Sequence, residues 1–575
     1  MLLPVLCLGD ELEKPRLERR GFLFTISLVD GGIDMPYFTI KQIGLFSSYQ
    51  LNKKEEEKLN KFLVFLENSG VGELIHRECY KDHSKGGRPP YNYYNLFAAS
   101  IYAFSKHPGT LRKIEESFTY DVRFMYLMDN EVPSYAKIGE FLNNLFVKFH
   151  HIIYSLLVNQ FIKETGINID DCFLDGTKIE ANANKYKFVW KPTTFHKKLD
   201  ENIKTLLNKY FTINKIELLK SIEVAEYITK LGDFTLNKDG KKDYKQLEKY
   251  LIKLLEYEEK EEICGPNRNS YFKTDKDATA MTLKEDFYSG VGSNMHAAYN
   301  IQIIVSKGIA LTYYIGQERS DFYAFIPTVE QFHKDYGFYP KNLCADAGYG
   351  SWKNYVYMIV NNIGNYVKFQ DWEQLRKGNA IDLYSFNDKE ELVCLNGKTA
   401  TRCSEYNGRH PKQHGYLYVI ENCKRCRYQK VCKEGVKDKK ATFRCFDVSY
   451  EFWKGKTVAR ENLLTGKGIE MRVNRSSQVE GVFGIVKQDM QYDRFRRRGL
   501  DKVHVEICLI LIGHLLRKLF TFYDGRAKFD YWIAPPDLKD EEMPIVDAKT
   551  FKKKIRKKDI NESLRIEYKK AKKVS

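Results

Sequence analysis

No stretch of the chain reaches the eighteen or so consecutive apolar residues of a membrane span, so an integral membrane protein is not expected. There is no short internal repeat, and aromatics make up 14% of residues, which excludes collagen, coiled-coil and disordered chains. Cysteine is too sparse for a disulfide scaffold: 12 in 575 residues. Cys7, Cys79, Cys172, Cys264, Cys344 and Cys508 are scattered, and the rest fall between Cys394 and Cys445. Residues 1–9 are apolar, but no basic segment precedes them and acidic residues follow at once, so no secretory signal is expected. These absences point to a reducing cytoplasm. Residues 1–34 read unlike the remainder, and Met35 opens a cleaner segment, which makes Met35 an alternative start to Met1.

What is present is positive charge and enough apolar residues for a large core. Lys plus Arg number 93 against 76 Asp plus Glu, a net +17, and 43% of residues are hydrophobic. The length predicts three to five folding units. A positive field of this size favours a polyanionic partner. The plainer alternative is a soluble, lysine-rich protein from an AT-rich genome.

An N-terminal extension (1–50) precedes a mostly helical region at 51–167, where Ser134 is expected to cap a helix that runs on through FLNNLFVKFHHIIYSLLVNQFI. Short helices with basic loops suit a DNA-binding module or a helical packing domain. NIDDCFLDGTKIEA (168–181) has the apolar run of a strand. Residues 191–291 form a charged helical insertion, expected as an antiparallel pair. AAYNIQIIV and IALTYYI alternate around Ser306-Lys307-Gly308 as a hairpin. A helix, the strand NLCADAG, a second helix and the strand NYVKFQ follow. A cysteine-bearing insertion (376–469), a helix from about Ser477 and a basic tail (526–575) complete the chain. With the insertions set aside, the order is three antiparallel strands and then αβ units, that of an α/β, ribonuclease-H-like catalytic core made of 168–190, 292–375 and 470–525.

Such a core would place three acids at a metal site. Asp175 is expected to end the first strand, Asp346 ends the fourth, and Glu480 lies in the final helix. A glycine close behind each aspartate would leave the backbone room to turn. In the helix, Val479, Val482, Phe483 and Val486 make the core stripe, and Glu480 and Lys487 share an adjacent face. Gly484 lies between them and leaves a gap that a phosphate backbone could occupy. Phosphodiester cleavage needs two hard cations about 4 Å apart, and carboxylates suit Mg²⁺. Taken singly, each acid reads as a cap or a surface charge.

DGTKIEANANKYKFVWK (175–191) resembles the first catalytic block of the DDE transposases of bacterial insertion sequences. AAYNIQIIV with YYIGQERSDFYAFIP, and then ADAGYGSWKNYVY, look like the second block. NRSSQVEGVFGIVKQDMQYDRFRRRGLDKVHVE (474–506) is similar to the third, and GRPPYNYYNLFAASIYAFS to the N-terminal module. The resemblance covers residues 40–520 and implies Asp175, Asp346 and Glu480 as a catalytic triad holding two Mg²⁺ ions, with Mn²⁺ as an alternative. Relatives accompany the Glu with Tyr, Arg and Lys. Lys487 matches. Ser476 stands where many relatives have Arg, with Arg475 one residue earlier, and no tyrosine precedes it nearby, although Tyr492 is close downstream.

Arg494, Arg496, Arg497 and Arg498 form a cluster suited to phosphates, or else a solvated helix end. Lys185 and Trp190 follow the first aspartate. An aromatic among lysines suits stacking on unpaired bases, and a packed Trp190 is the alternative. Cys423, Cys426 and Cys432 make a half-site for structural Zn²⁺, with the fourth ligand open among Cys394, Cys403, Cys445 and His414. Reduced free thiols or redox work are the other readings.

The leading expectation is a cut-and-paste transposase. It would bind the inverted-repeat ends of its element, cleave them with metal-activated water and join the freed 3′-hydroxyl to target DNA. Its expected partners are double-stranded DNA and a second copy of itself, without a membrane, in a bacterial cytoplasm at the nucleoid. The alternatives are a ribonuclease-H-like nuclease that cuts without joining, and a domesticated DNA-binding protein.

Overall fold

The computed structural model describes residues 37, 51–79, 90–106, 110–283, 295–376, 382–407, 414–432, 442–527 and 529. Met35, the rest of the N-terminal extension and the basic tail beyond 529 lie outside the described residues.

Six helices open the described chain: α1 (Lys53–Asn68), α2 (Val71–Cys79), α3 (Tyr93–Lys106), α4 (Leu111–Tyr120), α5 (Val122–Met128) and α6 (Tyr135–Thr165). Asn52, Thr110, Asp121 and Ser134 cap four of them, each accepting a backbone N–H that the first turn leaves unpaired. The expected Ser134 cap is therefore present, and α6 ends at Gly166 in the left-handed region. Among the described residues α6 is the helix long and apolar enough to cross a membrane. Its Ile138, Leu142, Leu145, Ile153, Leu157 and Phe161 side is buried in the protein's core.

The sheet follows. β1 (Asp171–Glu180) leads into a ribbon of β2 (Phe188–Trp190) and β3 (Ser270–Phe272). β4 (Thr279–Thr282) and β6 (Ile309–Gly316) flank successive parts of β5 (Met295–Ser306). The β5–β6 hairpin turns at Lys307 (φ 53) and Gly308 (φ 72), the positive pair that a two-residue hairpin loop demands. Past three inserted helices, α7 (Thr193–Leu207), α8 (Ser221–Gly232) and α9 (Lys238–Cys264), helix α10 (Asp321–Tyr336), β7 (Asn342–Ala345), helix α11 (Trp352–Val360) and β8 (Gly364–Val367) complete the layer. β1 pairs antiparallel with β5 and parallel with β7, and β8 pairs parallel with β7. The order β6-β5-β1-β7-β8 is that of three antiparallel strands followed by two parallel ones.

The expected helical pair is instead three helices, α7 (Thr193–Leu207), α8 (Ser221–Gly232) and α9 (Lys238–Cys264). They close on their own apolar cluster of Leu199, Ile203, Val224, Ile228, Leu247 and Leu254. Two breaks in the helical pattern, at 208–220 and 233–237, divide the segment where the sequence suggested one.

After α12 (Trp372–Arg376) the cysteine insertion holds β9 (Tyr384–Phe386), β10 (Leu392–Cys394), β11 (Thr401–Asn407), β12 (His414–Ile420), helix α13 (Gln429–Cys432) and β13 (Arg444–Val448). Helices α14 (Tyr450–Leu464), α15 (Gly466–Gly484) and α16 (Leu500–Tyr523) return to the main body. The helix expected from Ser477 starts at Gly466, capped by Thr465. Its first half was not legible because the buried face there is partly small or polar, with Gly468, Asn474 and Arg475, so the apolar period begins late.

α16 is apolar nearly all round and packs against α3 and α6, where Arg517 donates to the Ser105 and Lys106 carbonyls at the end of α3. One apolar core thus runs from Leu59 through the sheet to Phe520.

Candidate active site

Parallel pairing of β1 with β7 sets Leu174 opposite Ala345, so the next residue of each strand, Asp175 and Asp346, come side by side. Asp175 lies in the middle of β1 rather than at its end, and Asp346 follows β7 directly. Gly176 does not turn the chain: β1 runs on to Glu180. A Cβ at Gly176 would lie 2.0 Å from the Gln302 Nε2, so the glycine makes room for that side chain on the neighbouring strand. Gln302 donates to Asp321 at 3.0 Å, as does Asn300, and accepts from the Tyr349 hydroxyl.

Helix α15 joins the two aspartates. Arg475 Nη1 is 2.8 Å from Asp175 Oδ2, and Nη2 is 4.0 Å from Asp346 Oδ1. Lys368, just past β8, brings its Nζ to 3.6 Å from the same Asp346 oxygen. The Arg475 side chain is 11% exposed and that of Asp346 51%, so one flank of the pair is sealed and the other opens to solvent. Burial opposes the charge on Arg475, but Asp175 and Asp346 outweigh it and hold the guanidinium above its usual value. Burial also raises the Tyr349 phenol well above its ordinary range, reinforced by Asp321, Asp175 and Asp346.

Glu480 does not join this group. It lies five residues beyond Arg475, about 7.5 Å along the helix axis and about 140° around it. It is exposed and accepts from Ser476 Oγ at 2.9 Å, and no hydrogen bond or ion pair among the described residues ties it to Asp175 or Asp346. Val479, Val482 and Val486 form the buried stripe as expected, and Phe483 is partly buried. A Cβ at Gly481 or Gly484 would meet nothing within 4 Å, so the surface beside Glu480 is open. Lys487 sits on a π-helical turn, Ile485–Asp489, and is partly buried.

The arginine cluster lies on an irregular segment after that turn, not on a helix end. Phe495 N donates to the Glu180 carbonyl at 2.8 Å, which ties the segment to the end of β1. Glu506 of α16, 5% exposed, accepts from the backbone N–H groups of Arg496 and Arg497 and so fixes its path. Arg494, Arg496 and Arg498 are exposed. Arg497 is partly buried against Asn143. On the β2 side, Tyr186, Phe188 and Trp190 are all exposed, and Lys185 lies over the Tyr186 ring at 5.4 Å. Trp190 is thus not a packed core residue.

Asp321, Lys368 and Glu506 escaped the sequence reading. Each is a single charged residue whose partner lies on another element or loop, nine or more residues away. Asp321, as the first residue of a helix straight after a buried strand, carried the best local signal.

A second polar group lies on other elements. His150 and His151 of α6 and His504 of α16 bring their ligating nitrogens within 4.8 Å of one another, the group of three metal-competent side chains among the described residues that meets that spacing. Their rings stack, His150 on His504 at 4.6 Å and 28°, and His151 on Tyr313 at 4.5 Å and 21°. The other two histidine pairs are tilted, His150 to His151 at 48° and His151 to His504 at 63°, so the three rings pack on one another and on Tyr313. Burial pushes His150 down to about 3, His151 to about 2 and His504 to about 4.

Two family models match the chain. A transposase DDE domain matches residues 393–520, and a transposase domain of the DUF772 type matches 49–144. Together they support a DDE transposase of an insertion sequence. The first match contains Glu480 and the arginine cluster, and the two aspartates lie between the matched stretches. A DDE domain of this kind implies a nuclease or transposition enzyme, a class that generally uses divalent metal ions. No curated protein and no solved structure gave a match.

Proposed function

We propose that this transposase binds the inverted-repeat ends of its element, cleaves them and joins them to target DNA, using Asp175, Asp346 and Glu480 on a ribonuclease-H-like core. The observation that carries the reading is the pair of neighbouring aspartates on β1 and β7, held by an arginine from the helix that bears Glu480. The donor set fits Mg²⁺ or Mn²⁺: carboxylate oxygens, one of them half-exposed. Two such ions would supply an activated attacking oxygen and a stabilised leaving oxygen.

The protein's own residues have separate tasks in this reading. In the DNA-free protein Arg475 and Lys368 balance the charge of Asp175 and Asp346. On DNA both cations turn to phosphate and free the carboxylates. Glu480 supplies the third carboxylate from the open face of α15. Arg494, Arg496 and Arg498 bind phosphates, Lys487 lies along the same path, and Lys185 with Trp190 stacks on unpaired bases. The protein acts as a homodimer bridging two ends, at the nucleoid in the cytoplasm. Structural zinc in the cysteine insertion is a separate matter with its own test.

The test supplies paired end duplexes, a second target duplex and Mg²⁺, and follows nicking and joining on gels. Wild type should cleave and join. Asp346→Asn should bind ends and neither nick nor join. Cleavage without joining favours the nuclease, and binding without cleavage favours a DNA-binding descendant.

A further inference from the structure

The cysteine insertion has a very small core. Among its described residues Phe386, Leu392, Tyr418, Ile420, Phe446 and Val448 are the buried apolar ones, across two separate sheets. Domains with so few core residues are usually secured by disulfides or a metal. Among the described residues no disulfide joins Cys394, Cys403, Cys423, Cys426, Cys432 or Cys445.

Four of those thiols surround one cavity of about 20 Å³. Cys394 comes from the end of β10, Cys423 and Cys426 from the loop after β12, and Cys432 from the end of α13. The Cys423–Cys426 loop is a tight turn, with Cys426 N donating to the Cys423 carbonyl at 3.3 Å. Cys394 opens a similar turn, its carbonyl accepting from Gly397 N at 2.8 Å. The remaining wall is largely apolar, with Leu395, Ile420 and Phe446. A space of this size admits one atom-sized guest, and sulfur donors in apolar surroundings select a soft or borderline ion.

Among the described side chains the other candidates for a fourth ligand drop away. Cys403 is exposed and does not line the cavity. Cys445 stands on β13 between Arg444 and Phe446, which both line it, so the strand's alternation turns Cys445 to the opposite face. The His414 side chain lies outside the described residues. A second feature is Arg444, whose side chain, with a buried Nε–H, already lies against the Cys432 sulfur on the same cavity. A metal-bound thiolate on the same cavity would accept that N–H and offset the site's negative charge.

We propose that Cys394, Cys423, Cys426 and Cys432 form a four-thiolate structural zinc site that ties the β9–β10 hairpin to the β12–α13 side of the insertion. The sulfurs ring the cavity without any three lying within 4.8 Å of one another. Zinc at about 2.3 Å from each would draw them to about 3.8 Å, so binding tightens the insertion.

The test uses the full chain purified without chelators. Metal analysis should give about one zinc per chain, and cobalt exchanged into the site should show intense near-ultraviolet sulfur-to-cobalt charge-transfer absorption. Cys394→Ser should lower cobalt affinity about tenfold or more and weaken that band, whereas Cys445→Ser should leave both unchanged. If Cys394→Ser fails to fold, titrating wild type with a mercurial reagent answers the same question, since zinc should leave in step with thiol modification. Zinc-free, folded wild type overturns the proposal. So does bound zinc whose cobalt form lacks the sulfur band, which would direct the ion to the histidines, and so does full affinity in Cys394→Ser. None of these readouts depends on DNA cleavage.

Discussion

Arg475 is the residue on which the catalytic reading turns. The sequence offered it beside the position where relatives set an arginine before the glutamate, and the DNA-free protein commits it to Asp175 and Asp346. Without it, two adjacent carboxylates lose their most buried counter-charge. Arg475→Ala should therefore cost about 1–3 kcal/mol of stability in metal-free buffer, the scale of a lost charged hydrogen bond. Mg²⁺ should then raise the melting temperature of the variant more than that of wild type, because the ion replaces the missing cation at the same oxygens. Scanning calorimetry with and without Mg²⁺ checks this, and an equal rise in both proteins would remove the aspartate pair as the metal site. Glu480 is a different case. Its exposed position on α15 was legible from the helical period, but its orientation relative to the aspartates depends on how α15 docks. Glu480→Gln should abolish end cleavage at unchanged melting temperature, because its recorded hydrogen bond is the surface one to Ser476.

At the scale of elements, the junction of α6 with α16 carries a pH prediction. His150, His151 and His504 have folded values depressed below their ordinary one, mainly by burial. A depressed base stabilises the fold above its unfolded value, near 6.5, and that stability is lost as pH falls. The groups facing the histidines include Asp335, whose Oδ2 is 3.8 Å from His151 Nδ1, and Lys334. Burial pushes Asp335 up to about 6, so its own contribution runs the other way and grows as pH falls through 6. The imidazoles outnumber it. Urea midpoints should fall from pH 7 to pH 5, and His504→Gln should fall less steeply, by about 2 kcal/mol at pH 5. Parallel pH profiles for the two proteins would show that His504 is not buried neutral.

For the whole molecule the net charge of +17 is the relevant quantity. Duplex affinity should fall steeply with salt, and Arg496→Ala should bind more weakly with the logarithmic salt slope reduced by about 1, while still cleaving at saturating protein. Filter binding at several salt concentrations measures the slope. An unchanged slope would leave Arg496 as a residue that only positions its loop, where its backbone N–H already binds Glu506.

Local pattern determined most of the architecture. Alternating apolar runs flagged β1, β5, β6 and β7, the Lys307-Gly308 turn fixed a hairpin, and Ser134 marked the start of α6. Asp175 and Asp346 could be singled out because each follows such a run directly. These features depend on neighbours within a few residues, so the order of side chains contains them. Only the tertiary structure decided which charge meets which. Arg475 reaches an aspartate 300 positions away, Lys368 completes the pair from a third strand, and Glu506 clamps a loop of arginines. The polar part of the buried face of α15 was hidden for the same reason: Arg475 meets Asp175 and Gln478 accepts from Gly308 N, partners that no local window contains. The docking of α15 on the sheet also turned Glu480 outward while Arg475 turned in. That outcome follows from the packing of Val479 and Val482 against the core, a constraint that exists only once strand and helix share one interface.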